Sequence, residues 1–228
     1  MTFGSLFAGI GGLDLGLERA GMQCVWQVEI DEYCRRVLAK HWPSVRRHDD
    51  IRTFPPKGDW GCDVICGGPP CQPVSCNGRK KVQADARWLW PEMARVIRTL
   101  RPKFVLMENV TGLLDRGMGD VLGDLAECGY DAEWDGLPAA AFGAPHLRER
   151  IFLVSYPTSP GLQGPESAGR IWGRGLFTQR DWWCPEPRLD RVANGARNRI
   201  HRTKAIGNAV VPQVAEWIGR RIMEEVDA

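Results

Sequence analysis

Cys71 stands in Gly67-Gly68-Pro69-Pro70-Cys71-Gln72-Pro73, where two glycines and two prolines lead into a thiol and a loop of small polar and basic residues follows it. A structural cysteine is usually enclosed by aliphatic packing. Cys71 instead follows the apolar run from Cys62 to Cys66 on a proline-stiffened turn, a position that presents the sulfur rather than packs it. Glu108 and Asn109 come directly after Lys103-Phe104-Val105-Leu106-Met107, so a carboxylate emerges from a buried strand toward the same face. In an apolar pocket such a carboxyl holds its proton and can donate it to a ring nitrogen; the plainer account is a structural ion-pair partner. Arg148 and Arg150 lie two apart before Ile151-Phe152-Leu153-Val154. In a strand that spacing sends both side chains to one side, where they converge on a single anion or ring or remain a surface charge pair.

A second constellation concerns a cofactor. Phe7-Ala8-Gly9-Ile10-Gly11-Gly12-Leu13 turns from a strand into a helix through three glycines, where backbone must approach a ligand or a neighbour closely. Glu29 ends the next apolar run about 17 residues after Gly12, a place where a carboxylate accepts both hydroxyls of a ribose. Together they predict an adenosine-containing cofactor, and no Walker lysine speaks for a triphosphate. Asp50 in the following loop either takes an adenine amino group or is a solvated acidic turn.

The elements that must position these groups read as strand-then-helix units. Residues 2–7, 24–30, 62–66, 103–109 and 148–156 are short apolar runs, and 11–21, 32–42, 93–102 and 121–130 carry helical patterns between them. This alternation predicts an α/β fold with a Rossmann-like, mostly parallel wound sheet, whose ligands bind at the carboxyl ends of its strands. From Pro157 to about Arg199 glycine, proline, arginine and tryptophan dominate without a period, and Trp172, Trp182 and Trp183 are too many large aromatics for a disordered spacer. We read a catalytic and cofactor-binding domain over 1–156, a small loop-rich insertion over 157–199 and a return to the first domain over 200–228. In the last segment, 205–226 predicts an amphipathic helix with Val211, Val214, Ile218 and Ile222 on one face and Pro212 near its start.

Composition is that of an ordinary globular protein, with 43% apolar and 25% charged residues and a net charge of +2. The charge is uneven: residues 150–204 hold ten basic and four acidic side chains, a surplus of +6 on a body of −4, and 24 of the 30 basic residues are arginine. Arginine's planar fork suits phosphate and guanine edges, although a solvated arginine-rich surface has the same composition. The eight cysteines include no C-x-x-C pair, and no histidine stands at zinc-ligand spacing from one, so we expect free thiols and no metal. We also expect no secretory signal and no membrane segment, and hence a cytoplasmic protein.

Five blocks of the chain resemble, in order, the motifs of the DNA (cytosine-5) methyltransferases. They are Phe7-Ala8-Gly9-x-Gly11-Gly12, Gly68-Pro69-Pro70-Cys71-Gln72-Pro73-x-Ser75, Glu108-Asn109-Val110, Arg148-x-Arg150 and Gly207-Asn208-Ala209-Val210-Val211-Pro212. The resemblance runs from residue 3 to about 155 and resumes from about 200 to 222. It implies the class I methyltransferase fold, S-adenosyl-L-methionine as cofactor with S-adenosyl-L-homocysteine as product, and a flipped cytosine of double-stranded DNA as substrate. Cys71 is then the nucleophile that adds to C6, Glu108 bonds N3 and the exocyclic amine, Arg150 holds the O2 side and Arg148 positions the ring or a neighbouring phosphate. The cofactor falls to Phe7, Ala8, Gly9, Gly11, Gly12, Leu13, Glu29, Ile30, Asp50, Ile51, Gly68, Pro69, Leu89, Asn208 and Val210. DNA falls to Gln72, Ser75, Asn77, Arg79, Lys80 and Lys81 in the loop after Cys71, and to Arg170, Arg174 and Arg180 in the insertion.

Departures from the family pattern are Val74 for the usual phenylalanine, His146 for a glutamine and Ala209 for a serine. The insertion is also far shorter than the family's usual target recognition domain, which predicts minimal or assisted sequence reading. The resemblance further predicts a monomer of bacterial or phage type, acting within restriction-modification or alone. It leaves open methylation of transfer RNA, which one branch of the family performs, and a catalytically idle DNA-binding homologue.

Overall fold

Residues 1–70, 88–158 and 199–226 are described by a computed structural model of the protein. Their strands form one seven-stranded sheet in the order β3-β2-β1-β4-β5-β7-β6. In chain order the elements are β1 (Thr2–Leu6), α1 (Gly12–Arg19), β2 (Gln23–Val28), α2 (Glu32–His41), β3 (Arg46–His48), β4 (Val64–Gly67), α3 (Trp90–Leu100), β5 (Phe104–Asn109), α4 (Leu113–Arg116), α5 (Met118–Glu127), β6 (Tyr130–Pro138), β7 (Glu149–Pro157), α6 (Arg199–Asn208) and α7 (Pro212–Val226). β3, β2, β1, β4 and β5 pair in parallel, and β7 lies antiparallel between β5 and β6. The expected wound, mostly parallel α/β sheet is therefore present.

The strands carry near-continuous apolar runs because both faces of the sheet are covered. On one face Phe3, Cys66, Leu106, Phe152 and Val154 pack with Leu13 and Leu17 of α1 and with Val214, Ile218 and Ile222 of α7. On the other, Leu6, Ile65, Val105, Met107 and Leu153 pack with Met93 and Ile97 of α3 and with Val121 and Leu125 of α5. α1 and α7 approach closely through glycines: a Cβ on Gly16 would lie 2.4 Å from the Pro212 carbonyl oxygen, and one on Gly219 would lie 2.8 Å from Ala20 Cβ.

The chain between 205 and 226 is two helices rather than one. α6 ends at Asn208, and α7 begins at Pro212, which tolerates a first helical position because it lacks an N–H. β1 is the switch point of the sheet, since β2 and β4 flank it on opposite sides. The crevice that such a reversal leaves at the strand ends is where ligands bind. It receives the glycine-rich loop after β1, Glu29 after β2 and the Gly67–Pro70 loop after β4.

Beneath that crevice a fully buried carboxylate, Asp14, ties α1 to the sheet. It accepts hydrogen bonds from Ser5 Oγ at 2.9 Å and Gln27 Nε2 at 2.7 Å, and Gln27 Oε1 accepts from Arg47 Nε at 3.1 Å. Burial pushes the Asp14 carboxyl up to about 6, against the opposing hydrogen bonds from Gln27 and Ser5. The folded state thus binds the proton more tightly than the unfolded chain does. The stability this provides is complete below the ordinary carboxyl range and is lost as pH rises through about 6. Asp14→Asn has no charge to desolvate; its amide oxygen accepts from Gln27 Nε2, and its amide nitrogen donates to Ser5 Oγ, which reverses that bond. Its stability relative to the native protein, read from urea midpoints, is expected to improve by on the order of 2–3 kcal/mol between pH 4 and pH 8. An offset that does not vary with pH would contradict the assignment.

Candidate active site

The ends of β1, β2, β4 and β5, with α6 above them, enclose one cavity of about 650 Å³. At one end stands Glu29, almost completely buried. Its Oε2 accepts from the Gly9 N–H at 2.7 Å and its Oε1 from the Asp31 N–H at 2.8 Å, so the carboxylate is locked while each oxygen keeps a lone pair for an incoming hydroxyl. Ile30 beside it is 61% exposed and offers an apolar platform at the cavity wall. Phe7, Gly9, Ile51, Gly68, Pro69, Leu89 and Asn208 line the same cavity. Asp50 lines it too, with its carboxylate engaged by Arg52 through the backbone N–H at 3.0 Å and the guanidinium at 3.3 Å.

Other residues expected at the cofactor stand behind the cavity wall. Ala8 and Leu13 are buried in the body and do not line the cavity. Gly11 has φ 86°, and a Cβ there would lie 2.5 Å from the Trp42 ring; one on Gly12 would lie 2.4 Å from the Val210 carbonyl oxygen. These two glycines admit neighbouring protein, with Val210 as the backbone that packs on Gly12. Phe7 adopts φ 53°, a strained conformation for a bulky side chain, at the point where the loop leaves β1.

The far end of the cavity holds Glu108 and Arg150. Glu108 Oε1 meets Arg150 Nε at 3.2 Å, and the two side chains are only 12% and 25% exposed. Burial raises the Glu108 carboxyl above its ordinary range, while Arg150 and then Arg148 pull it down. Gly68 makes room for this carboxylate, since a Cβ there would lie 2.9 Å from Glu108 Oε2. The buried Asn109 donates from Nδ2 to the Pro69 carbonyl at 3.1 Å and accepts from the Val110 N–H at 2.9 Å, which fixes the loop that leads to residue 71.

The two arginines line one cavity and both act on Glu108, Arg150 more strongly than Arg148. Arg148 has φ 31°, which breaks the alternation of an extended strand, and its Nη2 donates to the Ala209 carbonyl at 2.8 Å. Each arginine thus has its own polar partner within the one cavity that both line. His146 Nδ1 is buried with no hydrogen-bond partner among the described residues.

Cys71, Gln72, Ser75, Asn77, Arg79, Lys80 and Lys81 lie outside the described residues, as do Arg170, Arg174 and Arg180 of the insertion. Four of the described thiols differ chemically from a presented one: burial pushes Cys34 and Cys62 up to about 12 and raises Cys24 and Cys66 well above the ordinary thiol range. Among the described residues no group of histidine, cysteine, aspartate and glutamate is placed to hold a metal, and no helix is long and apolar enough to cross a membrane.

Apart from Asn208, which was expected, sequence reasoning missed the part of the wall made by α6. His201, Lys204, Ala205 and Asn208 all face the cavity, and α6 is held to α2 by the Lys204–Asp31 ion pair at 3.4 Å and the His201–Tyr33 stack at 5.6 Å. Their spacing of three to four residues is a helical face and was the available signal.

The model of the C-5 cytosine-specific DNA methylases matches residues 1–167. Among curated proteins, the chain is 33% identical over 198 residues to the Type II methyltransferase M.NgoMIV of Neisseria gonorrhoeae, covering 80% of this chain and 63% of that one. It is also 33% identical over 168 residues to M.HhaI of Haemophilus parahaemolyticus, covering 72% and 51%. The chain thus spans somewhat more than half the length of these two relatives. Among solved structures, a prophage-encoded E. coli protein assigned as a DNA modification methyltransferase superposes over the whole of both chains with TM-score 0.75 at 19% identity, a likeness of fold. With the family model matched across well over half its length, and with the sheet that such a match requires, the chain belongs to the C-5 cytosine-specific DNA methylase family.

Proposed function

We propose that the protein transfers a methyl group from S-adenosyl-L-methionine to C5 of a cytosine flipped out of double-stranded DNA, through a covalent bond between Cys71 and C6. The observation that carries this reading is the single cavity that joins the Glu29 carboxylate to the buried Glu108–Arg150 pair beside the loop entering Cys71. The residues fit the cofactor: Glu29 would accept the ribose hydroxyls, Ile30 and Ile51 would hold the adenine, and Phe7, Gly9 and Asn208, which line the same cavity, would face the remainder. Bound there, the cofactor supplies an electrophilic methyl sulfonium.

C5 of cytosine is too weak a nucleophile to attack such a methyl group unaided. Addition of the Cys71 thiolate to C6 makes the ring enamine-like, while protonated Glu108 donates to N3 and accepts from the exocyclic amine, offsetting the charge that develops as sulfur adds. Arg150 holds Glu108 and reaches the O2 side of the ring. Once C5 carries the methyl group, loss of its proton to solvent and expulsion of the thiolate from C6 restore aromaticity. Flipping costs a few kcal/mol of unstacking. Asn77, Arg79, Lys80 and Lys81 are assigned to closing over the extruded nucleotide, and Arg170, Arg174 and Arg180 to the DNA around it. So short an insertion implies a short or degenerate target. Both the monomeric state and the cytoplasmic location are part of this proposal.

Incubation with methyl-labelled cofactor and either unmethylated duplex DNA or transfer RNA tests it. Label recovered as 5-methylcytosine in the duplex, followed by base-resolution mapping, is the expected result. Label confined to transfer RNA, or absent from both, would overturn it. Within the same reading, Glu29→Ala is expected to weaken cofactor binding by about tenfold or more in a calorimetric titration, with a smaller effect on turnover at saturation. Ribose hydroxyls are held alike before and during transfer, so their loss is one of uniform binding. Unchanged affinity would remove Glu29 from the site.

A further inference from the structure

We infer that Arg148 is a positioning residue for the cofactor, acting through the backbone that follows α6, rather than a contact to the target base; the inference rests on the cofactor assignment made above. Its guanidinium donates to the Ala209 carbonyl at 2.8 Å, across 61 positions of sequence. Ala209 stands between two residues that matter to the cofactor end of the cavity. Asn208 before it lines the cavity, and the Val210 backbone after it packs on Gly12, where a Cβ would come within 2.4 Å of the carbonyl oxygen. A cation that holds residue 209 therefore holds the wall at 208 and the packing on the glycine-rich loop together. It also lies just past the C-terminus of α6, where carbonyl groups favour positive charge.

The backbone of Arg148 is shaped for this contact. Its φ of 31° is unusual for a side chain with a Cβ, and the turn is held by the Ala139 N–H, which donates to the Leu147 carbonyl at 2.7 Å. The guanidinium so placed bonds the Ala209 carbonyl while remaining within electrostatic reach of Arg150 and Glu108. Arg150 meanwhile makes the direct contact with Glu108, and its pull on that carboxyl exceeds that of Arg148. The two arginines of one motif thus divide their work, one at the base end and one at the cofactor wall.

Calorimetric titration of the DNA-free protein with S-adenosyl-L-homocysteine separates these roles. Arg148→Met is expected to weaken binding about tenfold, the scale of one charge-assisted hydrogen bond, while Arg150→Met stays within about twofold of native. Arg148→Met and Asn208→Ala combined should lose less than the product of their separate effects, because both act through one segment. A purely structural role would leave the two losses independent. Should Arg148→Met fail to fold, Arg148→Lys, which keeps the stem and the charge but not the fork, takes its place with the same expected direction. Binding within twofold of native by the folded Arg148 variant would overturn the inference and leave the cofactor assignment intact. A native protein that binds no S-adenosyl-L-homocysteine would overturn both.

Discussion

Cys71→Ser is expected to lower methyl transfer by about 10³-fold or more while leaving folding and cofactor affinity unchanged. A thiolate is a strong nucleophile that forms close to neutral pH, whereas a serine hydroxyl needs an adjacent base to become one. Without addition at C6 the ring never becomes nucleophilic at C5, so the whole covalent route is lost rather than slowed. The described backbone that leads to this position is held without the sulfur. β4 is fully buried up to Gly67, and the Asn109 side chain holds the Pro69 carbonyl at 3.1 Å. Methyl transfer at saturating cofactor, paired with calorimetric titration of S-adenosyl-L-homocysteine, reads both halves. A variant that keeps a tenth of the native rate would sink the assignment.

Glu108→Gln should lower the rate by about 10²–10³-fold with little change in cofactor binding. The amide preserves shape and presents a donor and an acceptor to N3 and the exocyclic amine, so the base still docks. It cannot transfer a proton as the adduct forms. Burial has raised this carboxyl, which keeps the acid form available above the ordinary carboxylate range, against the opposing pull of Arg150 and Arg148. Activity that needs the proton is complete below the folded pKa and falls as pH rises through it. Native single-turnover rates should show that alkaline limb, and the Glu108→Gln variant should lack it. A limb that persists in the variant would assign the titration elsewhere.

The position of Glu29 was legible because a carboxylate that closes an apolar run must emerge at a strand end, and every parallel strand end faces one crevice. The purpose of Gly11 and Gly12 was not. Three glycines at a turn report close approach without reporting of what, and here the neighbours are the Trp42 ring and the Val210 backbone. Arg148 and Arg150 were read through strand alternation; both do reach the one cavity, but the positive φ at 148 and its bond to the Ala209 carbonyl have no local signal. β6 escaped notice because its exposed edge carries Asp131, Glu133 and Asp135 among its apolar residues. Its pairing with β7, and the place of β7 beside β5, are non-local and have no local pattern. α6 was hidden for a related reason: its conspicuous face lines a cavity, so it lacks the apolar stripe that marks a core helix.

Covalent trapping tests the central claim most directly. A duplex carrying 5-fluorocytosine at every cytosine of one strand, incubated with the protein and S-adenosyl-L-methionine, should give a protein–DNA adduct that survives denaturation, because fluorine cannot leave as a proton and the thiolate cannot be expelled. Peptide mapping should place the adduct at Cys71, and the Cys71→Ser protein should form none. An adduct at another residue, an adduct formed by the Cys71→Ser protein, or methylation of ordinary duplex DNA with no trapping of the fluorinated one would contradict the account.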